Sequence, residues 1–355
     1  MKSWLFWILA GLGGYLAYRT WLTGDGEAGR EVPPLGVETA KPVEGGGGDA
    51  PPPGRDPPAA PQDRTPLDEW RAALARADAE ALGTLGDRIL REAPDSPAAV
   101  HVRLERGRER LRAYRAAGRN AEGLKLAQEA RLLLTPALFE ESVSAEERAT
   151  LRATLAELAQ DVLFNPRHVE GADFSWTVRR GDTLDQLCRK AFRERGARVE
   201  PGLVCEVNGL RRPQDLQAGT AVKVPLGDAR LVVVKREFRL TFLQGGAYVR
   251  DFPVGLGRAG LTPEAEFAVE VKMVNPDWYP RVGVKIPYGD PGNILGTRWL
   301  GFRDTEQYRG FGIHGTKDPA SVGREESSGC VRMHQEDVER LFSWTPLGTP
   351  VRIMR

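Results

Sequence analysis

The pattern of apolar and polar positions changes four times along the chain. Residues 1–22, MKSWLFWILAGLGGYLAYRTWL, form an apolar run charged only at Lys2 and Arg19. Its uncharged part, Ser3–Tyr18, predicts a membrane-directed segment slightly shorter than the roughly 20 residues of a full span. Trp4, Trp7, Tyr18 and Trp21 suit the membrane–water boundary, where aromatic residues anchor helices. No A-x-A cleavage pattern follows, which favours a retained signal anchor over a removed leader and directs the chain out of the cytoplasm. Residues 23–64 include GGGGDAPPPGRDPPAAP and carry too little apolar surface to offset the entropy of ordering, so they predict a jointed linker. From Thr65 the period becomes helical. Thr65-Pro66-Leu67-Asp68-Glu69 supplies a capping hydroxyl, a first-turn proline and acids at a helix start, and Trp70, Leu74, Ala77 and Ala81 recur at helical spacing. Further helices are predicted over 98–117, 121–134 and 144–163, broken by Pro94, Pro97, Gly118 and Pro136. Residues 65–170 therefore predict an α-helical domain, either a spacer bundle or a tetratricopeptide-like array with a protein partner. A clean repeat of about 34 residues is not visible.

Residues 174–226 predict a β-α-α-β order. Trp176–Val178 suits a strand, Gly181-Asp182-Thr183 a helix cap, Leu203–Asn208 a second helix ended by Gly209, and Ala221–Pro225 a closing strand. The runs V-x-x-G-D-T-L, V-N-G-L and L-x-A-G-T-x-V-x-V-P resemble the LysM family over the whole segment. The resemblance implies a shallow groove that binds the N-acetylglucosamine-containing glycans of peptidoglycan or chitin, with Gly181, Asp182, Thr183, Asn208 and Gly209 as contacts. Those residues also serve to cap helices and close turns. Cys188 and Cys205 fall one on each predicted helix and suit either a disulfide or two buried thiols.

From Ala229 the pattern is β. LVVVK is a short apolar run, and EFRLTFL alternates, with Phe238, Leu240 and Phe242 on one face. Gly245-Gly246 marks a turn before AYVRDFPVGLG, and FAVEVKMV and PVRIM add strands. Only Gln335–Ser343 suits a helix. Residues 229–355 predict a curved, mostly antiparallel sheet.

Composition adds exclusions. Fifty basic residues against 49 acidic ones leave a net charge of +1, which gives no electrostatic reason to expect nucleic acid. Three cysteines and four histidines show no ligand spacing, so no metal or other cofactor is expected. His101 and His168 have no such companions and suit ordinary structural positions.

The stretch Ile313–Met333, IHGTKDPASVGREESSGCVRM, holds one of each scarce residue. A cysteine attacks carbonyls as its thiolate, and a neighbouring imidazole can take its proton. Gly329 leaves room for substrate backbone beside Cys330, and the N–H groups of Gly329 and Cys330 suit an oxyanion hole. His334 is a second possible base, four residues beyond Cys330, in a position better suited to capping or packing.

I-H-G-T followed by S-S-G-C-V-R-M-H resembles the YkuD-type L,D-transpeptidase catalytic domain. Val254–Gly257, Thr262-Pro263 before Phe267, Asn275-Pro276-x-Trp278 and Gly296–Leu300 extend the resemblance across about 229–353. It implies that Cys330 is the nucleophile and His314 its base, oriented by the backbone carbonyl of Gly315. It also implies a peptidoglycan substrate: the thiolate attacks the bond between the diamino acid and D-Ala of a tetrapeptide stem, and the acyl group passes to an amine of a second stem. Arg332, Ser328 and Trp299 are candidate substrate contacts. Two departures point to altered substrate preference. Glu264-Ala265-Glu266 stands where the family commonly carries a glycine-containing loop, and Ser328 stands where many members have His or Lys. The same nucleophile would serve an L,D-carboxypeptidase or the attachment of protein to the wall, and a wall-binding scaffold without catalysis is the alternative from another class.

The expected protein is thus multidomain, with an N-terminal membrane anchor, an α-helical domain, a βααβ LysM module and a mostly-β catalytic domain.

Overall fold

The hydroxyl of Thr65 accepts the Asp68 N–H while the Asp68 carboxylate accepts the Thr65 N–H, a reciprocal cap that starts helix α1 (Pro66–Ala75). The computed structural model describes residues 64–281 and 283–355, so the expected anchor and all of the linker but its last residue lie outside the described residues. No helix among the described residues is long and apolar enough to cross a membrane. Helices α2 (Ala79–Glu92), α3 (Pro97–Ala117), α4 (Ala121–Leu134) and α5 (Ala145–Val162) follow, with Asp78, Ser96, Asn120 and Ser144 as N-caps. Leu124, Ala127 and Leu134 of α4 and Leu155 and Leu158 of α5 are buried in the main core. His101 contacts Ser142 and His168 contacts Asp173, so both have structural partners.

The βααβ order is present. Strands β1 (Asp173–Thr177) and β2 (Ala221–Pro225) pair antiparallel, and α6 (Leu184–Arg195) and α7 (Pro201–Val207) lie between them in sequence. Buried Lys223 on β2 donates to the carbonyls of Val162 (2.8 Å) and Asn165 (3.0 Å) at the end of α5 and pairs with Asp173 at 3.3 Å. A charged side chain is tolerated there because it satisfies helix-end carbonyls and meets a carboxylate. Cys188 and Cys205 are free and buried, and burial pushes their thiols up to about 12 and about 11. Of the two arrangements open in the sequence, the structure holds the pair of thiols.

The remaining strands are β3 (Ala229–Val234), β4 (Arg239–Gln244), β5 (Ala247–Pro253), β6 (Leu256–Gly257), β7 (Ala265–Val274), β8 (Trp278–Arg281), β9 (Val284–Ile286), β10 (Arg298–Phe302), β11 (Gly312–Gly315), β12 (Glu325–Ser327), β13 (Val331–Met333) and β14 (Pro350–Met354). Eight of them form one sheet, in the order β13-β11-β10-β7-β14-β3-β4-β5. Only β11–β13 and β14–β3 are parallel within it. The sheet and helix α8 (Gln335–Trp344) bury a core around Trp344, which meets Phe242 at a ring distance of 5.4 Å.

The two-sided alternation expected of EFRLTFL is corrected. Every residue of β4 from Leu240 to Gln244 is buried, and Phe238 adopts a left-handed turn conformation before the strand. The helical region covers the second face. Arg152 on α5 pairs with Asp251 at 2.5 Å and with Glu237, Arg148 pairs with Glu237 at 2.6 Å, and Thr241 donates to Asp251 at 2.6 Å. Edge strand β5 is closed as well: Arg131 donates to the Tyr248 carbonyl at 2.6 Å, and the Tyr248 N–H donates to Thr135 Oγ1 at 3.0 Å. Helices, βααβ module and sheet consequently form one compact unit.

Candidate active site

Strands β11 and β13 run parallel and in register, with His314 opposite Arg332 and Ile313 opposite Val331. Alternation along a strand puts His314 and Arg332 on one face. Cys330 precedes β13 by one residue, two positions before Arg332. The long interval between His314 and Cys330 in sequence is therefore a connection between neighbouring strands.

His314 is 2% exposed. Its Nδ1 lies 2.6 Å from the carbonyl oxygen of Gly315, which can only accept, so Nδ1 carries the proton and Nε2 is left as the basic atom. Burial, opposed by the Gly315 bond and reinforced by the Arg332 charge, brings the imidazole down to about 4. The Cys330 thiol is pushed up by burial, against the pull of the Gly312 N–H and of Arg332. Its sulfur lies 3.8 Å from Gly310 O. Both groups are thus neutral near pH 7, and the pair rests as thiol and imidazole instead of as an ion pair.

The turn that presents Cys330 is held by two side chains. Ser327 Oγ donates to Cys330 O at 2.7 Å and accepts the Gly329 N–H at 3.0 Å. Buried Thr262 donates to Gly329 O at 2.9 Å and accepts the Gly257 N–H at 2.7 Å. Gly329 has φ +125°, and a Cβ there would lie 2.7 Å from Phe311, so only glycine fits. These bonds correct one expectation: the Gly329 N–H is already donated to Ser327, which leaves Cys330 N–H as the oxyanion donor of the expected pair. Ser328 is exposed beside the thiol.

Arg332 is fixed through its backbone, which exchanges bonds with Gly255 at 2.8 and 2.9 Å. No carboxylate pairs with its guanidinium among the described residues. Trp299 on β10 lies opposite His314, with ring centroids 5.9 Å apart. Its indole occupies space left by two glycines: a Cβ on Gly301 would lie 2.6 Å from Nε1, and one on Gly312 would lie 2.7 Å from Cη2. His334 begins α8 without a side-chain capping bond.

Gln335 and Ser327 were not singled out as site residues by the sequence, and Thr262 entered only as part of the resemblance, without a role. Gln335 accepts from Thr297 N–H (3.1 Å) and donates to Thr316 O (3.2 Å), tying β10 to the end of β11. Their bonds join residues as far as 67 positions apart, and a local motif does not record such bonds. In the βααβ module the expected glycan contacts are largely spent on the fold. Asn208 bonds Val204 O, Lys223 O and Lys223 N–H within 2.8 Å, which corrects its reading as a glycan ligand. Asp182 accepts the Arg179 N–H and Thr183 caps α6, whereas Gly181 and Gly209 have open space beside them. Among the described residues no cluster could hold a metal ion.

Residues 228–353 match the family described as YkuD, the L,D-transpeptidase catalytic domain. The chain is similar to YqjB of Bacillus subtilis strain 168, an L,D-transpeptidase by name, at 41% identity over 130 residues that cover 36% of this chain and 72% of that protein. It is similar to YkuD of the same organism at 29% identity, over 51% of this chain and 99% of that protein. Among solved structures, L,D-transpeptidase 3 of Mycobacterium tuberculosis aligns at 18% identity and a TM-score of 0.29, over 38% of this chain and 64% of that one.

Proposed function

Since the chain belongs to the YkuD family of L,D-transpeptidases, we propose that it cross-links peptidoglycan stem peptides through Cys330. The observation that carries the proposal is the neutral His314, with Nε2 free, on the strand that pairs with the one following Cys330, opposite an unpaired Arg332.

The chemistry follows from those positions. Nε2 takes the thiol proton as sulfur attacks the carbonyl between the third and fourth residues of a donor stem. The Cys330 N–H accompanies the developing oxyanion, and Arg332 holds a substrate carboxylate. Collapse breaks the amide bond, His314 returns its proton to the departing D-Ala amine, and a thioester remains on Cys330. The side-chain amine of a second stem attacks the thioester while His314 accepts its proton. The new amide joins the third residues of two stems, and the thiol is restored. No step requires an external energy source, because the energy of the broken amide is kept in the thioester. Trp299 and Ser328 border the donor stem.

In the same proposal the βααβ segment is a LysM module that holds glycan beside the open backbone at Gly181 and Gly209. The N-terminal apolar run keeps the enzyme at the outer side of a bacterial membrane. Treatment with a carbapenem tests the nucleophile. Mass spectrometry of the intact protein is expected to show one covalent adduct on wild type and none on Cys330→Ala, and equal labelling of the two would overturn the assignment.

A further inference from the structure

A cavity of about 820 Å³ lies away from the catalytic residues, and none of its lining belongs to the site around His314 and Cys330. Its floor is a face of β3 and β14 that carries Arg230, Val232, Arg352 and Met354, and Arg103 of α3 and Arg198 complete the walls. Arg352 stands opposite Val232 in the parallel register, so Arg230 and Arg352 are diagonal neighbours on one face. Like charges so placed repel unless something compensates them.

Among the described residues none pairs with them: neither Arg230 nor Arg352 makes a side-chain hydrogen bond or ion pair. Arg103 donates only to the Pro94 carbonyl at 2.7 Å, and Arg198 stacks on Phe192 at 5.2 Å. Three carboxylates also line the cavity, Asp95, Glu140 and Asp228. Glu140 is engaged by Ser142 and Asp228 by the Arg198 N–H, and none of the three pairs with the arginines. Four guanidinium groups against three carboxylates leave the lining with an excess of one positive charge, and a concave surface concentrates the field of that excess. A guanidinium presents a planar fork that matches two oxygens. A carboxylate satisfies one such fork, whereas a phosphate offers more oxygens and more charge and can serve two.

We propose that this cavity binds a phosphate-bearing ligand, held by Arg230 and Arg352 on the sheet and by Arg103 and Arg198 from the walls. The site does not depend on the cross-linking activity. The helical region creates it, because α3 and the turn after α4 roof a sheet face that the catalytic strands alone would leave open.

Calorimetric titration of the full chain with pyrophosphate tests the proposal. Wild type is expected to bind saturably, and Arg230→Ala/Arg352→Ala to bind about tenfold more weakly or less, with an unchanged Tm. The double lysine variant keeps the charge without the fork and is expected to fall between them. Arg112→Ala/Arg115→Ala removes equal charge from α3 outside the cavity and is expected to bind like wild type. Absence of saturable binding to wild type, or equal weakening in both alanine pairs, would overturn the site. Co-sedimentation with phosphatidylglycerol vesicles, compared with phosphatidylcholine vesicles, identifies the source. Loss of that sedimentation in the cavity variant assigns the phosphate to a lipid headgroup, and pyrophosphate binding without sedimentation assigns it to a soluble ligand; either result upholds the site.

Discussion

His314 Nδ1 is held 2.6 Å from the carbonyl oxygen of Gly315, the next residue along the same strand. A base fixed by its own backbone neighbour has one tautomer and one orientation before substrate arrives. Replacing His314 with alanine is expected to lower kcat by about a hundredfold to ten-thousandfold, the range typical of a lost general base. The pH profile carries a sharper signature. With the imidazole brought down to about 4, activity in wild type should be nearly level from pH 5 to pH 7 and fall only as the pH approaches about 4. A fall centred on the ordinary imidazole value of 6.5 would show that His314 is not buried as described.

Folding stability tracks the same group. Between about 4 and 6.5 the unfolded chain binds a proton at His314 that the folded chain does not. Stability from this group is therefore complete above 6.5 and is lost as the pH falls through that window. His314→Gln should show a flatter dependence of Tm on pH there than wild type, measured by differential scanning calorimetry.

Ser327 and Thr262 act on the nucleophile through the backbone of its turn. Ser327→Ala removes a donor to Cys330 O and leaves the buried Gly329 N–H without its acceptor, at a cost of about 1–3 kcal/mol. Activity should fall more than stability explains, and Ser327→Thr should restore much of it. An alanine variant as active as wild type would remove Ser327 from the account.

Trp299 shields the imidazole face, with its indole wedged into the space left by Gly301 and Gly312. Trp299→Ala admits water beside His314 and should move the acid limb of the pH profile upward, toward the ordinary imidazole range. Trp299→Phe should move it less. A change in KM with an unmoved pH profile would instead make Trp299 a substrate contact alone.

The helical region braces the sheet through charges. Arg152→Met leaves Asp251 and Glu237 partly buried without their shared partner and should destabilise the protein by about 3–5 kcal/mol, read from denaturant unfolding. A loss near zero would mean that the helices sit on the sheet without supporting it.

That brace also shows where the sequence stops being informative. EFRLTFL has the period of a strand with one wet face, and Thr241 looks like a solvent residue. It is instead buried, because α5 covers that face and Asp251 accepts its hydroxyl. A local pattern cannot record what a segment about 90 residues earlier will cover. His314 and Cys330 were legible for the opposite reason: their chemistry needs particular residue types with glycines beside them, and those stand adjacent in the chain. The short strands β11 and β13 were too brief for any periodicity, so their parallel pairing, which sets His314 opposite Arg332, was not legible. Gly329 was legible as a glycine, while the occupation of its N–H by Ser327 was not.

Cys330 is proposed to carry the acyl group of one stem to the amine of another. Wild type and Cys330→Ala should be incubated with disaccharide tetrapeptides and the products resolved by mass. A dimer that has lost one D-Ala is predicted for wild type and must be missing for the variant. Tripeptide without dimer would make the enzyme a carboxypeptidase, and identical products from the two proteins would contradict catalysis by Cys330.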